Sequence, residues 1–567
     1  MARTGTGTGT LLSRRNVKLD SFLKRNMERA VYERIRVHEP CVVVSDTINK
    51  VYMHVVLSDE RVFLTEYPPR TLTVAVSFGR VRDIELVNDL PDFLRGKDQE
   101  RCQHIRIVYA VETPPPRRRR DRLTRERGEE LPPVTPPPRS LTPKSTSEGH
   151  PPDSSLDQWT EEDPPPIPKP LRSASCPNPQ TLSLLKVPRP PGPPFSSPPS
   201  PSRQSRAQGP RRISLILDRL LRRDRADPSE DKGAELHLYA VSHSSTIYLH
   251  LQSAWTRFLT RSTLLLDPLH RWRCSSGWDP PPPSNRSGWL LGRLSRELQR
   301  DGVSPEASCL LLRELRTAAR RDVALRRLFW RSGDLFVFLV RSLEDGLHGV
   351  QSLSGGLWSD QLLLSTLIVQ TLAVMFRDTE VEESRMDLLS ANRAALSSRL
   401  LLASIGGPEP GRSPVDSEVR VFLDEFRDAA CSLLFEMLLL GHQASRGPSS
   451  DSSCLTVGWI LRVLQGHPHL LPFISHQAQR LLLVLSDRQD SALSPPQSVL
   501  LFQRCRLLLA CLQHSSLLNQ HLRSHFREEF RYCVEPSRLD VKLPSHVPIS
   551  RPTVKLINCI LTAVLKD

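Results

Sequence analysis

Arg172-Ser173-Ala174-Ser175-Cys176-Pro177 sets a serine hydroxyl three residues after a guanidinium and two before a proline. The chemistry this offers is phosphate acceptance at Ser175, which adds nearly two negative charges and three strong acceptor oxygens. A second acceptor stands at Ser214, preceded by Arg211 and Arg212, two cations that suit the acidic cleft of a basophilic kinase. Thr142-Pro143 is a proline-directed candidate, as are Thr135-Pro136, Ser197-Pro198 and Ser200-Pro201. All lie in one Arg- and Ser-rich stretch, where such spacings also arise by chance. No catalytic signature accompanies them. The chain has no GxSxG elbow, GxxxxGK[ST] loop, HExxH helix or kinase motif set. His467 and His469 flank a proline at a helix start and read as cap or surface residues. The expectation is a protein that is not an enzyme, with no catalytic, cofactor-binding or metal residues to assign.

Once phosphorylated, the segment around Ser175 resembles ligands of the 14-3-3 adaptor family, whose groove is lined with arginines. The motifs sit in residues 113–232, which hold 28 of the 50 prolines. Such a composition cannot bury enough apolar surface to offset chain entropy, so the segment is expected to be disordered. It carries 22 Lys+Arg against 15 Asp+Glu, about half of the chain's net +15. That balance gives weak attraction to any polyanion and points to no specific nucleic acid. Near its end, Ile213, Ile216, Leu217, Leu220 and Leu221 share one helical face, and Arg211, Arg212, Arg219, Arg222 and Arg223 fill the others. Such a basic helix at 211–223 can lie on an anionic membrane, dock in a partner groove or cover its own protein. Arg117–Arg120 reads as a solvated linker or a nuclear-import cluster, and the PxxP-like stretches are weak polyproline ligands.

The eleven cysteines are scattered, with no CxxC pair. That spacing suits neither a structural zinc site nor a disulfide framework, and reduced thiols of the cytosol, or of the nucleus, are expected. The first sixteen residues lack the apolar core of a signal peptide, and residue 2 is Ala rather than Gly. The longest apolar run, Leu362 to Phe376, is broken by Ser365, Thr366, Gln370 and Thr371 and reads as a buried core helix.

The elements that position these motifs fall into two kinds. Residues 1–12 are expected to be disordered, and 13–38 to hold a helix over 16–37, capped by Asn16. Six β-branched segments follow within 39–112, at 41–46, 50–58, 61–67, 71–78, 81–87 and 103–110. After the insert the strand pattern resumes at 235–242 and 246–253, with a helix over 254–266, and these make up residues 233–268. A lone hairpin is marginal in water, so this fragment needs the earlier sheet. Together the pieces resemble the pleckstrin-homology-like fold, a bent antiparallel sheet closed by a C-terminal helix. The basic K-xn-[KR]-x-R pattern of phosphoinositide-binding members is missing. Lys50 is followed by Val51, Tyr52, Met53 and His54, and only a diffuse patch of Lys50, Arg61 and Arg70 remains.

A linker at 269–286 leads to an all-helical region, 287–567, with leucine-rich amphipathic helices expected near 288–301, 305–319, 321–331, 334–344, 359–377, 385–403, 416–440, 453–465, 471–486, 495–513, 516–530 and 551–566. Such an array suits a helical-repeat stack or an irregular helical domain. The fold class is therefore α+β multidomain.

SRRNVKLDSFLKRN (13–26), EPCVVVSD (39–46), VVLSDERVFLTE (55–66), QHIRIVY (103–109) and LHLYAVSHSSTIYLHLQSAW (236–255) resemble an uncharacterised vertebrate family. Its human member is known only as an open reading frame on chromosome 12. The resemblance implies no activity, partner or site residue. The reading from the residues is a non-enzymatic intracellular adaptor or scaffold with a phosphorylation-regulated insert. The alternatives are a peripheral membrane protein held by the β domain and helix 211–223, and an enzyme without a recognisable motif.

Overall fold

The computed structural model describes residues 16–111, 233–274, 284–349, 355–377, 383–406, 417–444 and 455–566, apart from 90, 95, 243, 244, 488 and 490. Thr142, Ser175, Ser214 and the arginines of helix 211–223 lie outside the described residues.

The chain enters as α1 (Val17–Asn26), capped by the Asn16 side chain, which accepts from the Leu19 N–H at 3.1 Å. Its length corrects the helix expected over 16–37. Met27 is extended, and Ile35 and Val37 join a strand opposite Ser58 and Leu57. Ala30 and Val31 fall in a separate short helical turn, Arg29–Tyr32, whereas Ile35, which also fits the helical spacing, is taken into the ladder opposite Ser58.

Seven strands follow: β1 (Ile35–Ser45), β2 (Val51–Ser58), β3 (Arg61–Glu66), β4 (Leu72–Ser77), β5 (Val81–Val87), β6 (Cys102–Ala110) and β7 (Gly233–Val241). They form one antiparallel sheet in the order β4-β3-β2-β1-β7-β6-β5. Of the two segments beyond the insert that could pair with 103–110, namely 235–242 and 246–253, it is 235–242 that does so, and the ladder runs from Cys102↔Val241 to Ala110↔Gly233. The other edge of β7 pairs with β1, from Val42↔Tyr239 to Ser45↔Leu236. Side chains alternate across the sheet. Val55, Leu57, Val62 and Leu64 face the main core, and Val56 and Phe63 face Leu19, Phe22 and Leu23 of α1.

The second strand expected after the insert, 246–253, is instead the start of a helix, α2 (Ile247–Leu264). Both edges of β7 are already taken, so a strand returning from it cannot pair beside it as a hairpin. Ile247, Leu251, Ala254 and Trp255 also fit a helical face, and all four are buried. The Glu39 carboxylate fixes the entry to α2 by accepting from the Ser245 and Thr246 hydroxyls and the Thr246 N–H, at 2.6–3.0 Å.

The helical region comprises α3 (Ser284–Leu298), α4 (Pro305–Arg321), α5 (Val323–Ser332), α6 (Asp334–Gly349), α7 (Gly355–Phe376), α8 (Glu383–Ile405), α9 (Ser417–Ala444), α10 (Val457–Gln465), α11 (Leu470–Ser486), α12 (Pro495–His514), α13 (Ser516–Cys533), α14 (Pro536–Lys542) and α15 (Ser550–Leu565). The linker contributes a short helix, Pro268–Cys274, absent from the sequence expectation. Helices α4, α7, α9, α12 and α15 pack successively into one row. Trp358–Phe376 has the length and composition to cross a membrane, yet Leu367, Val369 and Leu372 are buried between protein neighbours. A helix apolar all round belongs in a core. Helix α8 is broken in its middle, where Asn392, Arg393 and Ala394 are all left-handed.

The sheet and the helices share one apolar cluster. Phe435 and Leu439 of α9 and Val499 and Phe502 of α12 join Leu236, Leu238, Leu251 and Trp255.

Candidate functional site

Of the expected basic patch, Lys50, Arg61 and Arg70 are described. Lys50 has a left-handed backbone in the β1–β2 turn, and its Nζ lies 5.2 Å from the Phe93 ring centre. Arg61 opens β3 beyond the far end of β2. The eight residues of β2 span about 26 Å, so Lys50 and Arg61 stand at opposite ends of the hairpin. Arg70 lies in the β3–β4 connection, at the Lys50 end.

A different cluster of cations forms where the sheet meets the helices. Strand β5 is an edge of the sheet, and α2, α12 and α15 meet beside it around a cleft of about 750 Å³. Lys555 of α15 bridges the Asp83 and Glu85 carboxylates at 2.6 and 2.8 Å. The second Glu85 oxygen accepts from Arg106 Nη2 at 2.9 Å. Lys555 holds the Glu85 carboxyl down, to about 2, while burial pushes Asp83 up. Gln252 of α2 donates to the Ile84 carbonyl at 2.7 Å and ties the helix to the strand.

Arg506 is handled differently. Its Nη2 donates to Thr256 Oγ1 at 3.2 Å, and its guanidinium lies 5.7 Å from the Phe502 ring centre. Its Nε is buried with no acceptor, and among the described residues no carboxylate pairs with it. Burial pulls its pKa below the usual guanidinium range. Trp255, 6% exposed, lines the same cleft, and its Nε1 also lacks an acceptor. Arg551 lines the cleft from the start of α15, is exposed, and makes no ion pair among the described residues. The cleft shares Arg551, Lys555 and Cys559 with an adjoining groove of about 820 Å³, which includes Leu509, Leu543 and Val554.

Both carboxylates are committed to ion pairs, and burial raises the Tyr248 phenol. Donors exceed acceptors. Among the described residues no group of three or more His, Cys, Asp or Glu side chains could hold a metal ion. Sequence reasoning missed the cleft because its residues come from distant segments. One signal was present: Arg504 and Arg506 interrupt the apolar run of α12.

No solved structure matches the chain. Human "Uncharacterized protein C12orf56" is 31% identical over 97% of this chain and 98% of its own length. The homologue in Macaca fascicularis is 30% identical over 97% of the chain and 98% of its own length, and that in Mus musculus 34% over 59% and 67%. The family resemblance drawn from the sequence points to the same proteins. A family model covers residues 13–563, both sides of the insert included, and the chain belongs to that family, described as "Protein of unknown function (DUF4551)".

Proposed function

We propose that this chain is a non-enzymatic intracellular adaptor that presents residues 113–232 as a phosphorylation-controlled docking segment. One observation carries the reading. Ala110 and Gly233 are direct partners in adjacent strands, so the segment leaves and re-enters the sheet at one place. A rigid body that holds both ends of a motif-bearing loop suits presentation to a partner. Seven antiparallel strands followed by one closing helix support a pleckstrin-homology-like module over residues 35–111 and 233–264. The row of helices supports a scaffold role for the C-terminal region.

Phosphorylated Ser175, with Arg172 before it and Pro177 after it, fits an Arg-lined groove of the 14-3-3 type. Charge-assisted contacts to phosphate are roughly twice as strong as neutral ones. Ser214 supplies a second, weaker site, and a dimeric partner that engages both gains avidity without new contacts. The test is a fluorescence titration of a 14-3-3 protein with a 170–180 peptide. The phosphorylated peptide binds and the unmodified one does not. Equal binding by both, or by neither, removes the switch. Salt-sensitive co-sedimentation with anionic liposomes would favour the peripheral membrane alternative.

A further inference from the structure

We infer that the cleft between β5, α2, α12 and α15 binds the phosphoryl group of a small phosphorylated ligand, with Arg506 and Arg551 as its cationic contacts.

The cleft contains charge that the protein itself leaves uncompensated. A buried cation is costly unless something pairs with it. Arg504, two residues earlier on the same helix, is matched by the Asp428 carboxylate. Arg506 has neither a carboxylate nor an acceptor for its Nε. The cleft's two acids cannot serve it, because Lys555 and Arg106 already occupy them. Trp255 Nε1, a second donor without an acceptor, belongs to the same wall. Donors without acceptors around one cavity call for an acceptor-rich ligand.

The charge count narrows the class. Lys555 and Arg106 hold the two acids and Arg82 is engaged elsewhere, which leaves Arg506 and Arg551 as the cleft cations with no ion pair among the described residues. Two positive charges match a phosphate monoester, which carries nearly −2 at neutral pH. Guanidinium forks suit phosphate geometry. The 750 Å³ volume falls within the usual range for small-molecule sites. The adjoining apolar groove leaves room for the rest of the ligand, whether a soluble metabolite or the acyl part of a lipid.

The test uses the full chain, and it is independent of the insert and its phosphosites. Thermal melting is followed against inorganic phosphate, glycerol 3-phosphate and phosphatidylcholine vesicles carrying phosphatidate. A saturable rise in melting temperature is expected. Arg551→Gln, at an exposed position, should weaken the response about tenfold or more, the scale of one lost charged hydrogen bond. Arg506→Met should abolish it without lowering the melting temperature of the ligand-free protein. Response to the soluble phosphates identifies a metabolite, and response to vesicles alone identifies a lipid headgroup. The proposal is overturned if none of the three probes gives a saturable shift. It is equally overturned if Arg551→Gln and Arg506→Met both respond like the parent.

Discussion

Arg504 donates to Asp428 and, from Nε, to Gln477 Oε1 at 3.2 Å, so its charge is matched inside the fold. Arg385 is fully buried, with its guanidinium 4.9 Å from the Trp330 ring centre and 4.8 Å from that of Phe376. A planar cation suits that sandwich, and a lysine ammonium would not. His250 resolves the same problem by giving up its proton. Burial, helped by the nearby positive charge of Arg36 and Arg257, lowers its pKa to about 4. An unfolded histidine titrates near 6.5. Between those values the unfolded chain binds a proton that the folded chain refuses, so stability falls as pH falls through this window. His476, also lowered to about 4 by burial, acts in the same direction. Melting temperatures at pH 7 and pH 5 check this. The parent should lose more between the two than His250→Gln does, and equal losses would show that His250 does not titrate this way.

Among the elements, helix α8 carries a prediction of its own. Asn392, Arg393 and Ala394 have φ of 52°, 58° and 59°, a left-handed turn between two right-handed segments. Asparagine tolerates that region, but arginine is strained there by roughly 1–2 kcal/mol. Arg393→Gly should therefore stabilise by about 1 kcal/mol. Arg313→Gly, at an exposed site inside regular α4, should cost about 1 kcal/mol. Urea melts of both variants decide it, and losses of the same sign would contradict the left-handed turn.

Element types were legible where a long segment kept one period. Helices such as Pro305–Arg321, Leu470–Ser486 and Pro495–His514 show clear signals, with Pro near the N-terminus or an apolar face. Legibility failed where a short run satisfied both periods. Ile247, Leu249 and Leu251 alternate like a strand, while Ile247, Leu251 and Ala254 repeat like a helix. Only the occupied edges of β7 decide between them, and that information is not local. The candidate cleft was illegible for the same reason. Arg506, Arg551, Trp255 and Asp83 come from four separated elements, and nothing in their spacing brings them together.

At the scale of the whole molecule, β7 is the keystone. It is supplied by residues beyond the insert yet stands between β1 and β6, next to the cluster that joins sheet and helices. Because Ala110 and Gly233 are already neighbours, the intervening chain need not contribute to the fold. Replacing residues 115–230 with a short Gly/Ser linker removes about four doublings of loop length. Each doubling costs only about 0.6 kcal/mol of closure entropy. The shortened protein should melt cooperatively, at a temperature no lower than the parent. Loss of the cooperative transition in calorimetry would show that the insert is part of the folded body.

The place of β7 also sets a clock during synthesis. A ribosome adding about 5–20 residues per second needs roughly 6–24 s to deliver the stretch between β6 and β7. Throughout that interval two half-sheets, β1–β4 and β5–β6, have been made, but the strand that joins them has not. The flanks of β1 and β6 that will receive β7 are then open edges, templates for pairing with another nascent chain. The length of the insert therefore fixes how long each new molecule is vulnerable, and a shorter insert would shorten that exposure in proportion.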